Sequence, residues 1–331
     1  MQFDQLRRRD FITLLGGAAA AWPLAARAQQ TVTPLIGFLR STPVAGFSHL
    51  PEAFRRGLRE EGFTDGLNVK IEQQWAENRL DRLPTLAADL VSRGVAAITC
   101  NSPAVPAARA ATATIPIVFV SGDDPVKSGF VTTLSRPTEN LTGITFFGGS
   151  QLIAKRMELL RDLVPNASVI AVLADPSYPA FQRELPDIET AGKALGINLL
   201  IFKARGEDEF ASVFPAMIQA GVGAVLVSGG PFFGSKRRLL AALALRHGLP
   251  SIYDLRESVS DGGFMSYSAS ISDAYRLAGG YVGKLLKGAK PSELPVLQPS
   301  RFELVINLAT AKALGLQIPP SIMLRADEVI E

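Results

Sequence analysis

Residues 95–124 read VAAITCNSPAVPAARAATATIPIVFVSGDD, two apolar, partly β-branched runs on either side of a short alanine-rich stretch. Val95 to Cys100 and Ile117 to Val120 have the length and composition of buried strands, and Ala104 to Ala111 has the pattern of the helix between them. A strand, a helix and a second strand in succession imply a parallel sheet covered on both faces.

The same alternation extends outward. Upstream, Pro34 to Leu39 and Leu67 to Gln74 read as strands, with helices over Phe47 to Glu61 and Arg79 to Ser92. Downstream the pattern restarts: a helix over Leu152 to Leu163, a strand over Ser168 to Leu173, and a helix over Ala180 to Leu195 that Gly196 is placed to cap. Strands follow at Ile197 to Lys203, Gly223 to Val227 and Pro250 to Tyr253, separated by helices at Asp208 to Ala220 and Ser235 to His247. A long helix over Asp273 to Lys287 ends at Gly288 and Pro291, and Phe302 to Ile306 with Ala309 to Leu314 closes the pattern.

The fold class is therefore α/β, with two Rossmann-like doubly wound lobes. Leu141 to Phe147, Gly263 to Ser268 and Gln298 to Phe302 lie at the seams and are taken as three crossings, a three-stranded hinge. On that reading one lobe is 33–145 plus 268–298, and the other is 146–267 plus 299–331. Two domains in simple succession with one linker are the alternative.

The first 28 residues read as an export signal. Arg7, Arg8 and Arg9 precede Phe11, an uncharged run continues to Ala26, and Ala26-Arg27-Ala28 offers small residues where a signal peptidase cuts. Arg8-Arg9 followed by Phe11 is the twin-arginine variety. The run from Phe11 to Ala26 is too short and too rich in Ala and Gly for a membrane span, which takes about 20 strongly apolar residues.

Composition narrows the classes further. Of 34 basic and 31 acidic residues, the signal holds Arg7, Arg8, Arg9 and Arg27 against Asp4 and Asp10, so the remainder is nearly neutral. No basic block points to nucleic acid. Cys100 is the single cysteine, so no intrachain disulfide forms and stability rests on packing, for which 47% apolar residues suffice.

Catalytic and cofactor signatures are missing. His49 and His247 are the two histidines and neither has ligand-spaced Cys, Asp or Glu neighbours. There is no Gly-x-Ser-x-Gly elbow, and neither Gly-x-Gly-x-x-Gly nor a P-loop follows the first strand. No cofactor and no metal are expected. Cys100 closes an apolar strand, where a buried thiol is usually inert.

Ligands in open parallel sheets sit beyond the carboxyl ends of the strands. Here those positions hold Ser41 and Thr42, Asn101 and Ser102, and Ser121 to Asp124 in the first lobe. In the second they hold Asp175 to Tyr178, Ser228 to Gly230, and Tyr253 with Asp254. Small hydroxyls and free N–H groups suit a carboxylate, Asp123, Asp124 or Asp175 an ammonium, and Phe146, Tyr178 or Tyr253 an apolar side chain. Such a set fits a small zwitterion. Each Ser, Asn or Asp has helix capping as its competing role.

The stretch Asp124-Pro125-Val126, Gly129, Ser135-Arg136-Pro137 and Asn140-Leu141-Thr142-Gly143 resembles a family of bacterial ABC-transporter substrate-binding proteins that includes tryptophan-binding lipoproteins. Gly263 to Tyr267, Lys287 to Pro291, Phe302 to Asn307 and Ala311 to Gly315 are similar to it as well. The resemblance implies a type I periplasmic-binding-protein fold with a ligand between the lobes. Carried over, Asn101, Ser102, Ser121, Asp123, Asp124 and Phe146 would line one wall. Asp175, Ser177, Tyr178, Ser228, Gly229, Met265 and Tyr267 would line the other. The chain departs from the family's usual Gly-Gly-Asn at Thr138-Glu139-Asn140, and it has Ala28 and Gln29 where lipoprotein members carry an acylated Cys.

The expected function is thus an unanchored periplasmic receptor that binds a small organic solute, an amino acid or similar zwitterion, for an ABC permease in the inner membrane, acting as a monomer. A ligand-sensing module for a membrane receptor and an exported enzyme on the same scaffold are the alternatives. If the signal reading holds, intact-mass measurement of the periplasmic fraction should find Gln29 as the first residue. Replacing Arg8 and Arg9 by Lys should leave uncleaved precursor in the cytoplasm; normal processing of that variant would exclude the twin-arginine route.

Overall fold

A computed structural model describes residues 33–331 apart from Thr138 and Phe147; the expected export signal lies outside the described residues. Five parallel strands form one sheet, β1 (Leu35–Arg40), β2 (Lys70–Trp75), β3 (Ala97–Asn101), β4 (Ile117–Ser121) and β5 (Leu141–Thr145), in the order β2-β1-β3-β4-β5. The helices α1 (His49–Glu60), α2 (Leu83–Ser92) and α3 (Val105–Ala111) connect them. β2 starts later than the apolar run suggests because the residues before it form a turn, in which the Gly66 N–H donates to the Val69 carbonyl at 2.8 Å.

The second lobe repeats the plan. α4 (Gly149–Leu163) leads into β6 (Val169–Ala174), α5 (Pro179–Ala194), β7 (Asn198–Lys203), α6 (Glu207–Gln219) and β8 (Ala224–Val227). Then come α7 (Pro231–Ser235), α8 (Arg237–Arg246), β9 (Ser251–Tyr253), α9 (Arg256–Ser260) and β10 (Met265–Ser268). The helix expected over 235–247 is α8, and the short α7 ahead of it ends at Ser235. The sheet runs β12-β11-β10-β9-β8-β6-β7, with β11 (Glu303–Asn307) antiparallel to β10 and β12 (Glu328–Ile330) parallel to β11. β12 had no counterpart in the sequence reading.

Between β10 and β11 the chain makes an excursion. Ser270 accepts the Asp273 N–H on its Oγ at 3.1 Å, which caps α10 (Ile271–Leu286) two residues ahead of the expected start. α10 packs on α1 over the five-stranded sheet, and the segment after it lies along β5, with the Thr145 N–H donating to the Leu297 carbonyl at 2.8 Å. Asn307 then caps α11 (Leu308–Ala313) through the Thr310 N–H, before α12 (Pro320–Met323). Three passages of the chain thus join the two sheets, beginning at the residues that follow β5, β10 and the α10 excursion.

Both sheets are buried on both faces. On the first, Phe38, Phe54, Val118, Tyr275 and Val282 fill the side under α1 and α10, and Leu39, Leu90, Ile98 and Phe119 the side under α2 and α3. Cys100 sits in that second layer, and burial pushes its thiol up to about 12, so it stays a neutral thiol. Among the described residues no helix is long and apolar enough to cross a membrane.

The contact of α1 with α10 is backbone to backbone. A Cβ on Gly57 would lie 1.7 Å from the Arg276 carbonyl oxygen, and one on Gly279 would lie 2.1 Å from that of Phe54. Only hydrogen fits at either place. Gly57→Ala should cost about 3 kcal/mol or more by urea unfolding, since neither helix can retreat without opening the core beneath. Gly280→Ala, with nothing within 4 Å of the new methyl, should gain up to ~1 kcal/mol from helix propensity alone. Equal effects of the two substitutions would refute the close-packing argument.

Candidate functional site

A cavity of about 810 Å³, its open mouth included, lies between the carboxyl ends of the two sheets. In each lobe the strand order reverses beside β1 or β6, and the loops at such a switch point diverge to leave room for a ligand. The first lobe contributes Arg40, Phe47, Asn101, Ser102, Gly122 and Phe146. The second contributes Arg156, Tyr178, Glu184, Gly229, Gly230 and Asp254, while Leu152, Ile153, Leu255, Ile271 and Tyr275 add apolar surface.

Arg40 ends β1 and is only 3% exposed. Its guanidinium lies 4.7 Å from the Phe47 ring centre, 5.2 Å from that of Tyr275 and 5.8 Å from that of Trp75. Nε donates to Thr42 Oγ1 at 3.1 Å and Nη1 donates to the Tyr275 hydroxyl. No carboxylate among the described residues pairs with it, and desolvation lowers its pKa, so three aromatic faces stand in for a counter-ion.

The expected ligand contacts at Ser41 and Thr42 have another job. Asn101 Oδ1 accepts the Ser41 N–H at 3.0 Å and its Nδ2 donates to Ser41 Oγ at 2.8 Å, which ties the loop after β1 to β3. Thr42 orients Arg40. Ser41 and Thr42 therefore lie behind the wall, whereas Asn101 and Ser102 reach the cavity. Ser102 donates to Ser121 Oγ at 3.0 Å, and Ser121 in turn holds the Asp123 backbone, so Ser121 also supports from behind.

The acidic candidates divide. Asp124 accepts the Val126 and Lys127 N–H groups at 2.9 and 3.1 Å, the capping role. Asp175 accepts the Ser177 N–H at 2.8 Å and its hydroxyl at 2.5 Å, so this pair shapes the turn after β6 and neither lines the cavity. Asp123, 4% exposed, accepts the Tyr178 hydroxyl from the opposite lobe. Desolvation raises its carboxyl to about 6 although that hydrogen bond pulls the other way.

Phe146, Tyr178 and Gly229 line the cavity as expected positions. Gly122 leaves space for the Phe146 ring, which a Cβ would meet at 2.9 Å, and Gly230, at φ 150°, takes a conformation open only to glycine beside the Tyr178 ring. Tyr253 and Met265 do not reach it: both are fully buried in the layers on either face of the second sheet. Ser228 is buried behind Gly229 and is not on the cavity surface. Tyr267 packs on Phe302 and offers its carbonyl to Arg156 Nε at 2.8 Å, so it positions a wall residue instead of forming the wall.

Arg40, Arg156 and Glu184 were not among the expected residues. Arg40 is the last residue of β1, next to Ser41, and the others project from α4 and α5, not from strand ends. Desolvation raises Glu184 to about 8 and Asp254 to about 6, and it lowers Arg156, which faces both carboxyls. Among the described residues no group of three or more His, Cys, Asp or Glu side chains could hold a metal ion.

Further contacts join the lobes around the cavity. Arg183 Nη2 donates to Ser128 Oγ at 2.9 Å and Asn78 Nδ2 to Ser235 Oγ at 2.9 Å. His49 and Glu257 face each other at 3.2 Å, and Lys127 and Asp187 at 3.3 Å. The Arg237 guanidinium lies 5.5 Å from the Phe47 ring centre.

Comparison with known proteins places this architecture. A tyrosine-binding protein of Clostridioides difficile strain R20291 is 25% identical over 267 residues, 80% of this chain and 76% of that protein. The crystal structure of an ABC domain in complex with L-Trp from Streptococcus pneumonia superposes with a TM-score of 0.83 at 25% identity, covering 90% of this chain and 100% of that one. The ligand-free, open structure of a substrate binding protein with adhesive properties from Clostridium difficile gives 0.66 at 23% identity, covering 90% and 99%. The fold is that of the type I periplasmic binding proteins, two sheets of mainly parallel strands joined by a hinge. Residues 46–330 match the model of the ABC transporter substrate binding protein family, and the chain belongs to that family.

Proposed function

We propose that this chain is a periplasmic receptor of an ABC importer and that it binds an amino acid with a large apolar side chain in the cavity between its lobes, with no chemical change to the ligand. The observation that carries this reading is the cavity's make-up: charged groups of both signs beside a wall of Phe47, Phe146, Leu152, Ile153 and Leu255. Pockets of this kind fix a ligand's polar end by a few groups and take up its body by apolar burial. The tyrosine- and tryptophan-binding relatives support the same size class.

Transport follows from a shift between open and closed arrangements. The bonds from Tyr178 to Asp123, Arg183 to Ser128 and Asn78 to Ser235 exist only while the lobes are together. A ligand that touches both walls adds differential affinity for the closed arrangement, and the closed form is the one a permease would recognise.

A thermal-shift and calorimetric panel of the mature protein against the amino acids tests the reading. A ligand at 100 times its Kd should add ~2.7 kcal/mol of stability, and silence across the panel would sink it. Tyr178→Phe should weaken binding about 5-fold, by faster release, because one bond of the closed form worth ~1 kcal/mol is lost.

The pH dependence has a definite sign. In the closed arrangement Asp123 and Asp254 titrate at about 6 instead of 3.8, and Glu184 at about 8 instead of 4.5, because the surrounding walls exclude water; Arg156 and Arg183 only partly offset this. Closure therefore takes up protons. Its contribution is complete below the ordinary carboxylate range and is lost as the pH rises through about 6 and then about 8. Small-angle scattering of ligand-free protein should show a smaller radius of gyration at pH 5 than at pH 8.5, and an unchanged radius would contradict the assignment.

A further inference from the structure

The two walls of the cavity differ in charge. The first-lobe wall carries one charged side chain, Arg40, buried and without a carboxylate partner among the described residues. The second-lobe wall carries Arg156 facing two carboxyls, Glu184 and Asp254, so its single cation is already outnumbered. Arg156 also spends its Nε on the Tyr267 carbonyl.

We infer that Arg40 anchors the ligand's carboxylate on the first lobe while Glu184 and Asp254 take its ammonium on the second, so that an α-amino acid bridges the cleft by its two charges. This inference rests on the amino-acid reading above and adds to it which charge goes to which lobe. A planar guanidinium already fixed by Thr42 and Tyr275 loses little freedom when a carboxylate pairs with its remaining N–H groups. A buried charge left unpaired is costly, so an occupant that supplies the missing anion is favoured over its uncharged analogue. Arg156 is a weaker candidate because the carboxyls facing it would repel a ligand carboxylate.

The arrangement selects by charge at both ends. A decarboxylated amine leaves Arg40 unpaired, and a deaminated acid leaves the second-lobe carboxyls without a cation. An ammonium beside Glu184 also favours its ionised form, so the ligand supplies in the closed cavity the counter-charge that burial would otherwise make Glu184 replace with a proton. The groups that face Glu184 are Asp123 on the loop after β4, Arg156 on α4, Asp254 after β9, and Tyr178 and Arg183 at the start of and on its own helix.

The test is titration calorimetry with L-tryptophan, L-tyrosine and L-leucine, each set against its decarboxylated amine and its deaminated acid. Wild-type protein should bind the amino acid about 10- to 150-fold more tightly than the amine, the range expected for a charge-assisted contact. Arg40→Met should shrink the ratio of amino acid to amine to within about 5-fold and leave the ratio of amino acid to acid unchanged. Glu184→Gln should do the reverse. An Arg40→Met protein that keeps the full preference over the amine overturns the inference and leaves the receptor reading standing. Equal binding of amine and amino acid by the wild type overturns it without any variant. Failure of the wild type to bind any of the three amino acids removes the amino-acid reading and the inference together.

Discussion

The contact between α1 and α10 is the constraint on which the rest of the molecule depends. With hydrogen alone at Gly57 and Gly279, two helices distant in sequence meet main chain to main chain over the first sheet. Because α10 follows β10, a strand of the other sheet, that contact forces the chain to cross between lobes twice more after β5. Three crossings set side by side form the hinge between the lobes, and the cavity lies beside it. The ion pairs that flank the contact, Arg276 with Glu60 and Lys287 with Glu61, are largely exposed and add little.

Inside the cleft, polar residues divide between holding and facing. Ser41, Thr42 and Ser121 spend their hydroxyls on neighbours, which leaves Arg40, Asn101 and Ser102 rigidly placed. On the other side the Tyr267 carbonyl and the turn at Asp175 and Ser177 do the same for Arg156 and Tyr178. Rigidity here has an energetic reason: a buried guanidinium among aromatic rings keeps its place only if enough of its N–H groups are satisfied.

The fold was legible because parallel strands buried on both faces read as unbroken apolar runs, and most helices between them end at a glycine with positive φ, as at Gly94, Gly196, Gly221 and Gly248. Strand ends were less so. Residues before β2 look apolar yet form a turn, and β12 is three residues stabilised by its neighbour β11, which no local pattern announces. In the site, loops after strands were the right neighbourhood but capping and facing residues look alike in sequence, so Asp124 and Asp175 could not be told from Asn101. Arg156 and Glu184 were hidden for a different reason. They lie on helices whose cavity-facing side is decided by how the lobes approach, a distance effect with no local periodicity. Arg40 had a faint signal, a lone cation closing the apolar strand LIGFLR.

The excursion between β10 and β11 also sets an order of assembly. Every strand of the first sheet has been synthesised by residue 145, but the helix that covers one of its faces spans Ile271–Leu286. Until then α1 alone lies on that side, and Val118 and Val120 of β4 wait for the helix that packs over them. A nascent or truncated chain therefore presents a finished sheet with one apolar face only partly covered, the kind of surface that recruits chaperones or other copies of itself. The lobe that is begun first is completed only when the chain as far as Leu286 is available.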